Sequence, residues 1–212
     1  MLDKSEERRG PGPLTAVAIS LGLTGILWIV FFVTWAAHVN LYRFGILPRQ
    51  LEGLRGIITA PFIHGDIWHL ASNTLPFAVL LFVLLNAYDR IALGVLLMLH
   101  VLSGFGVWLF APAFSSHIGI SGIIYGLAGF LIGSGLFRKD RLSITVAIFV
   151  VLLYGGMIEG FIPQAGISWQ SHLSGAITGL MLSFLLRKYG REPVDAIWEE
   201  ENEDERPFFS GE

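Results

Sequence analysis

Long apolar stretches separated by short polar or charged breaks dominate the chain from about residue 14 to residue 186. A helix needs about 20 mostly apolar residues to cross the hydrocarbon core of a bilayer, and six stretches qualify. They are Leu14–Ala37, Ile67–Ala87, Ile91–Phe110, Ile118–Phe137, Leu142–Gly160 and Trp169–Leu186. Because lipid cannot satisfy backbone polar groups, each stretch is predicted to be a helix. The pattern therefore predicts an all-α integral membrane protein, a bundle of six transmembrane helices.

Composition agrees with this interpretation and excludes some chemistry. Hydrophobic residues make up 53% of the 212 residues and charged residues only 15%, whereas a soluble domain carries roughly 25% charged residues. The chain has no cysteine, so disulfide and thiolate chemistry are excluded. An acidic segment at 199–205 accounts for much of the net charge of −3. No basic patch of the kind that binds nucleic acid is present.

Lysine and arginine residues are concentrated on one side of the predicted membrane. They are Lys4, Arg8 and Arg9 before the first span, Arg90 after the second, Arg138, Lys139 and Arg141 after the fourth, and Arg187, Lys188 and Arg191 after the sixth. The loops 111–117 and 161–168 on the other side contain neither residue type. Positively charged loops usually stay in the cytoplasm, so both termini are predicted to be cytoplasmic.

This orientation divides the chain into three parts. Residues 1–13 form a cytoplasmic segment, residues 14–190 the six-span core, and residues 191–212 an acidic cytoplasmic tail that we expect to be disordered. Inward-facing termini and a core without large soluble domains favour a multi-pass protein of a prokaryotic plasma membrane. The oligomeric state is not encoded in any pattern of the sequence.

Polar side chains occur at similar depths in three predicted spans that run in the same direction. Ser121 and Asn73 lie about 24 Å, and His172 about 22 Å, above the inner ends of their spans, at about 1.5 Å per residue. His69 lies one turn above Asn73 on the same helix face. Polar groups inside a bilayer are costly and usually face the bundle interior. We therefore expect these four side chains to form one site.

Small residues mark one face of the fourth span and one face of the sixth. They are Gly122, Gly126, Gly129 and Gly133 on the fourth span, and Gly175, Gly179 and Ser183 on the sixth. Small residues at four-residue spacing allow helix backbones to approach closely. A close approach is what a serine and a histidine on neighbouring helices need in order to form a hydrogen bond.

A serine and a histidine within hydrogen-bonding distance of each other are typical of nucleophilic catalysis. The histidine takes the serine proton and later returns it to the leaving group. No carboxylate lies at the depth of His172, so a Ser–His dyad is predicted, with the imidazole oriented by packing on Tyr125. An oxyanion requires preorganised donors. Asn73, His69 and the backbone N–H of Ser121 at its helix start are the candidates.

Three motifs make the sequence resemble the rhomboid family of intramembrane serine proteases over about residues 14–187. The motifs are Gly119-Ile120-Ser121-Gly122 with Tyr125 one turn later, Ser171-His172-Leu173-Ser174-Gly175 at the start of the sixth span, and His64, His69 and Asn73 at the start of the second. Each motif is common by itself, but together, on the correct spans, they are specific. The first is not the GxSxG elbow of soluble hydrolases, because Ile123 follows Gly122.

The resemblance implies an endopeptidase with Ser121 as nucleophile, His172 as base, and His69, Asn73 and Ser121 around the oxyanion. As supporting residues it implies Tyr125, Gly119, Gly122 and a structural His64. It further implies that the substrates are transmembrane protein segments in the lipid bilayer, which are cut near the outer face. They would enter laterally between the second and fifth spans. No cofactor or metal is implied. A helical substrate hides its carbonyls, so it must unwind locally before cleavage.

Some residues depart from the family pattern or stand outside it. The family often has Trp-Arg in the first outer loop, where this chain has Leu54-Arg55. His100 in the third span is interpreted as a packed or water-contacting histidine without a catalytic role. His117, beside the site, could tune it but is interpreted as an ordinary loop residue.

Three other functions remain as alternatives. A metal site built from His64, His69 and His172 would use common zinc ligands, but no HExxH motif and no carboxylate accompany them. A transporter or channel usually has internal repeats and paired intramembrane charges, which these spans almost lack. A non-catalytic relative would bind transmembrane clients without cutting them. The presence of both dyad residues argues against this last alternative.

Overall fold

A computed structural model describes residues 11–164 and 166–189 of the chain. The described residues form seven α-helices joined by short 3-10 segments. The helices are α1 (Pro13–Ala36), α2 (Arg55–Thr59), α3 (Ile67–Ala87), α4 (Ala92–Phe110), α5 (Ser121–Arg138), α6 (Arg141–Tyr154) and α7 (Trp169–Leu185). The 3-10 segments are Tyr42–Phe44, Leu51–Leu54, Ala60–Phe62 and Gly155–Phe161. The acidic segment at 199–205 lies outside the described residues.

Five helical segments are long and apolar enough to cross a membrane. They are α1, α3, α4, α5, and α6 continued by its 3-10 segment to Phe161. Each coincides with one of the first five predicted spans. Of the two other helices, α2 has 5 residues and α7 has 17, so the sixth span stays a prediction, as does the cytoplasmic location of the termini.

In two predicted spans the α-helix does not cover the whole stretch, and backbone geometry explains both differences. The fourth predicted span begins at Ile118, and α5 begins three residues later at Ser121, the helix start expected for the site. Gly119 has a φ of 102°, which lies outside the helical region and favours glycine. The fifth span was expected to stay α-helical to Gly160, but α6 ends at Tyr154 and a 3-10 segment follows. Two successive glycines at that point weaken the α-helix.

Helix α5 is the central element of the bundle, and α7 packs along it. In α5, 72% of the apolar membrane-spanning stretch is buried, against 17% of the stretch that contains α6. The two small-residue faces meet: a Cβ added at Gly122 would contact Ser171, one at Gly129 would contact Ala176, and one at Gly133 would contact Ser183. The helices therefore run parallel at close range. We call the end at which both begin the Ser121 end.

The chain between α1 and α3 is folded over the Ser121 end. Ile46 and His117 pair in an antiparallel bridge with hydrogen bonds of 2.9 and 3.0 Å. The Arg49 guanidinium donates to the carbonyls of Leu109 and Ala111 at 3.1 and 2.7 Å, at the end of α4. These bonds fasten this segment both to α4 and to the loop that leads to Ser121.

At the opposite end, α3 and α6 are joined by a hydrogen-bonded network. The Tyr88 hydroxyl, just after α3, donates to Ser143 Oγ at 3.0 Å. Ser143 Oγ donates to the Asp140 carboxylate at 2.8 Å, and Arg138 lies 3.5 Å from the same carboxylate. Asp140 also caps α6 by accepting from the Ser143 N–H. The network fixes α3 against α6 at the end remote from Ser121.

Candidate active site

Ser121 and His172 meet at the starts of α5 and α7. Ser121 is the first residue of α5, and His172 lies in the first turn of α7. The distance between Ser121 Oγ and His172 Nε2 is 2.9 Å, and each residue is 8% exposed. The close packing of the two glycine-rich helix faces makes this distance possible. A buried serine hydroxyl therefore contacts one nitrogen of a buried imidazole.

The other imidazole nitrogen is fixed by a backbone carbonyl. His172 Nδ1 lies 2.7 Å from the carbonyl oxygen of Gly160. A carbonyl only accepts hydrogen bonds, so Nδ1 carries the hydrogen and Nε2 of the neutral ring is an acceptor. The Ser121 hydroxyl then donates to Nε2, which is the arrangement a general base requires. Sequence reasoning missed this orienting group, because any residue at position 160 has a carbonyl.

Tyr125 lies one turn below Ser121 and stacks on the imidazole. The two rings are 4.0 Å apart between centroids and inclined by 8°. The Tyr125 hydroxyl donates to the carbonyl of Met157 at 2.5 Å, so the ring is held at both its face and its edge. The imidazole plane is thus restrained by stacking and its rotation by the Gly160 carbonyl.

A cavity of about 930 Å³ opens beside the Ser–His pair. Its lining includes Trp68, His69, Ser72, Asn73 and Pro76 from α3, Ser121 and Tyr125 from α5, Met157 and Gly160 from the 3-10 segment, and His172 from α7. The cavity thus lies between the first turns of α3 and the segment after α6. Its volume falls within the range of small-molecule and peptide-binding clefts.

Asn73 and His69, the expected oxyanion donors, line this cavity with Ser121. The Asn73 side-chain amide donates to the backbone carbonyl of His69 at 2.7 Å. This bond orients the amide and leaves its second hydrogen for another acceptor. The N–H of Ser121 is at the helix start, where backbone donors have no partner within the helix. The three residues expected to supply donors therefore line the same cavity.

A family model for the rhomboid domain matches residues 51–189. The chain belongs to the rhomboid family. An uncharacterised protein of Mycobacterium tuberculosis is 35% identical over 175 residues, covering 78% of this chain and 73% of that protein. The Bacillus subtilis protein named "Putative rhomboid protease YdcA" is 29% identical over 188 residues, covering 80% of this chain and 87% of that protein. The chloroplastic rhomboid-like protein 11 of Arabidopsis thaliana is 25% identical over 221 residues, covering 92% of this chain and 74% of that protein.

Membership of the rhomboid family confirms the resemblance of the motifs and agrees with the five long apolar helices. Together they identify an integral membrane protein, and the family and the protease relative indicate intramembrane proteolysis.

Two residues of the rhomboid motifs support the site from outside the cavity. Gly119 packs under His69: a Cβ there would lie 2.8 Å from the His69 ring. The buried His64 ring packs edge-on against His69, with centroids 5.0 Å apart. Burial, and secondarily His69, lower the pKa of His64 from 6.5 to about 4, although the Phe62 carbonyl and Asp66 oppose the change. His64 therefore stays neutral and backs the ring of His69.

Two further histidines of this rhomboid, His100 and His117, have different surroundings. His100 of α4 packs against Phe62, with ring centroids 6.4 Å apart, and does not line the cavity. His117 is buried and hydrogen-bonds through both ring nitrogens, to Ser115 and Ser168. Within residues 11–164 and 166–189, no group of three histidine or acidic side chains is arranged to hold a metal ion.

Proposed function

We propose that this chain is an intramembrane serine endopeptidase in which Ser121 is the nucleophile and His172 the general base. The observation that carries the proposal is the 2.9 Å contact between Ser121 Oγ and His172 Nε2, with the Gly160 carbonyl on the other nitrogen. That pairing selects the imidazole tautomer able to accept the serine proton. It occurs inside a chain of a family that includes a protease-named relative.

The reaction proceeds in two halves. Ser121 Oγ attacks the substrate carbonyl while its proton moves to His172 Nε2. The resulting oxyanion faces the donors contributed by Asn73, His69 and the Ser121 N–H, each worth a few kcal/mol in such sites. Imidazolium then protonates the leaving amine, and the intermediate collapses to an ester on Ser121. Water, deprotonated by the same imidazole, hydrolyses the ester and restores the serine.

The Gly160 carbonyl replaces the carboxylate of a catalytic triad in this mechanism. A triad carboxylate both orients the imidazole and stabilises its positive charge. A carbonyl accepts the same N–H hydrogen bond but offers only a dipole. Orientation is therefore supplied by Gly160 and by the stacked Tyr125 ring, as a dyad requires.

The position of the cavity supports a transmembrane substrate that arrives sideways from the lipid. The cavity lies between the first turns of α3 and the segment after α6. At the end remote from Ser121, a hydrogen bond from Tyr88 to Ser143 joins the end of α3 to the start of α6. We infer that the Ser121 end faces outward, that α7 is the sixth span, and that both termini are cytoplasmic. Substrates with glycine, proline or small polar residues near the outer face should unwind and be cut most readily.

The proposal is tested with purified protein in proteoliposomes and a generic single-span reporter. The wild type is compared with Ser121→Ala and His172→Ala, with EDTA added to a parallel wild-type sample. We expect cleavage by the wild type, a loss of about 10³-fold or more in both variants, and no effect of EDTA. Cleavage that survives in Ser121→Ala contradicts the proposed nucleophile. Inhibition by EDTA would favour the metal alternative.

A fluorophosphonate probe decides the case in which no reporter is cut. Such a probe reacts with an activated serine and does not depend on substrate choice. Labelling of the wild type that is absent in Ser121→Ala would show a competent dyad with a narrow substrate range. A wild type that neither cleaves nor becomes labelled would contradict the enzyme and favour a client-binding role.

A further inference from the structure

A second histidine–serine pair lies beside the catalytic one, with the residues in the reverse order. His117 Nδ1 is 2.6 Å from Ser168 Oγ, and the two residues are 51 positions apart, the same separation as Ser121 and His172. His117 precedes Ser121 by four positions, and Ser168 precedes His172 by four. The two pairs therefore join the same two chain segments at two successive points.

The hydrogen bonds around His117 form one chain with a single direction. Ser168 Oγ, the N-cap of α7, accepts from the Ser171 N–H at 3.3 Å, so its own hydrogen can be donated to His117 Nδ1. His117 Nε2–H then donates to Ser115 Oγ at 2.8 Å. Ser115 Oγ donates to the Pro112 carbonyl at 2.6 Å. With a neutral His117 ring protonated at Nε2, each donor in this series is used once.

The backbone of His117 is held as firmly as its side chain. Its N–H donates to the Ile46 carbonyl at 3.0 Å, and its carbonyl accepts from the Ile46 N–H at 2.9 Å. The residue is 6% exposed, and burial lowers the pKa of its imidazole, which agrees with a neutral ring that accepts from Ser168. His117 thus joins the α1–α3 segment, the loop before α5 and the N-cap of α7.

The interface between α5 and α7 makes such a link useful. Its faces are lined with glycines and serines, which give close contact but few interlocking side chains to prevent one helix from sliding along the other. A displacement of about 1 Å between reacting groups can reduce a rate by about 100-fold. A directional hydrogen bond at the start of both helices restricts this displacement.

We propose that His117 is a positioning residue that, through Ser168, holds the starts of α5 and α7 in register. In this position it keeps Ser121 Oγ within hydrogen-bonding distance of His172 Nε2. The inference rests on the proposed function, since it concerns the same catalytic pair. It assigns to His117 a role in the rate of the reaction rather than in loop folding alone.

The test uses two substitutions whose side-chain amides replace different ring nitrogens of the imidazole. In His117→Asn the amide oxygen lies near the former Nδ1 and can accept from Ser168. In His117→Gln the amide lies near the former Nε2 and can reach Ser115 instead. Cleavage of the reporter, the rate of fluorophosphonate labelling and the Tm are measured for the wild type and for both variants.

We expect His117→Gln to lower kcat and the labelling rate about tenfold or more, with little change in KM, because the catalytic distance is no longer fixed. The kcat of His117→Asn should stay within about threefold of the wild-type value. Ser115→Ala removes only the hydrogen bond on the other side of the His117 ring, and its kcat should fall by no more than this factor. Ser168→Ala should lower the rate as His117→Gln does, and combining the two should add little further loss.

Equal rates for His117→Asn and His117→Gln would overturn the inference, as would rate losses that simply follow the Tm. The proposed function is judged separately by Ser121→Ala, which leaves the His117–Ser168 contact intact. If the reporter is not cut, the labelling rate of Ser121 gives the same comparison. Activity that persists in Ser121→Ala therefore rejects the dyad, whereas a wild-type-like His117→Gln rejects only the positioning role.

Discussion

At the scale of single residues, Gly160 has no room for a side chain. A Cβ there would lie 2.8 Å from His172 Nδ1 and would overlap the Tyr125 hydroxyl. We expect Gly160→Ala to displace the imidazole and lower kcat about ten- to a hundredfold. Gly156→Ala in the same 3-10 segment, where the added Cβ meets open space, is the matched control for reporter cleavage. Equal activity in the two variants would contradict the close packing of Gly160 against the His172 ring.

His64 makes stability depend on pH in a defined window. Its pKa is lowered from 6.5 to about 4 by burial, so between these values the unfolded chain binds a proton that the folded chain does not. Stability therefore rises with pH through this window and falls as pH decreases from about 6.5 towards 4. The full difference corresponds to about 3 kcal/mol.

The measurement compares the Tm of the wild type and of His64→Leu in detergent at pH 7 and at about pH 4.5. The wild type should lose several degrees more than the variant over this range. An equal decrease in both proteins would mean that other groups cause the acid sensitivity.

The sequence could indicate the side chains of the candidate site because their identities and depths are visible in it. Ser121, His172 and Tyr125 are brought together as their spacing implied. The Gly160 carbonyl was not predictable, since no side chain marks it. The partnership of His117 with Ser168 was also missed, because a lone histidine and a lone serine in loops carry no signal until the helices are packed.

At the scale of helices, apolar length predicted where the elements lie and small residues predicted which of them touch. Where α5 begins and where α6 ends depend on backbone conformation. Helix α5 begins only after Gly119, which has a positive φ, and α6 ends before the two glycines that follow Tyr154. The folding of the α1–α3 segment was not predictable either. Its attachments are made by arginine side chains and backbone groups to distant carbonyls, which leave no periodic pattern.

The packing of α5 on α7 predicts where an added methyl group is costly. A Cβ at Gly175 would overlap the Gly122 carbonyl, so Gly175→Ala should force the helices apart and destabilise the fold by about 1–3 kcal/mol. In α4, Gly94→Ala adds a methyl group in open space and should be neutral or stabilising by up to about 1 kcal/mol. Chemical denaturation in micelles measures both. A Gly175→Ala protein as stable as Gly94→Ala would contradict the close packing.

At the scale of the whole molecule, the absence of cysteine allows the proposed topology to be tested with single cysteines. Phe114→Cys lies in the loop before α5, at the Ser121 end, and Lys188→Cys lies beyond α7; both native side chains are exposed. We expect a membrane-impermeant maleimide added to intact cells to label Phe114→Cys alone. Labelling of Lys188→Cys without cell lysis would contradict either the orientation or the assignment of α7 as a span.

The Gly160 carbonyl belongs to the segment that borders the cavity, not to the buried centre of the bundle. Any movement that widens the gap towards α3 by shifting this segment would also take away the acceptor of His172 Nδ1–H. The ring could then rotate or exchange tautomers, and Ser121 would lose its base. In such an open arrangement Ser121 would lack its base, so cleavage would require this segment to return to the position in which Gly160 accepts from His172.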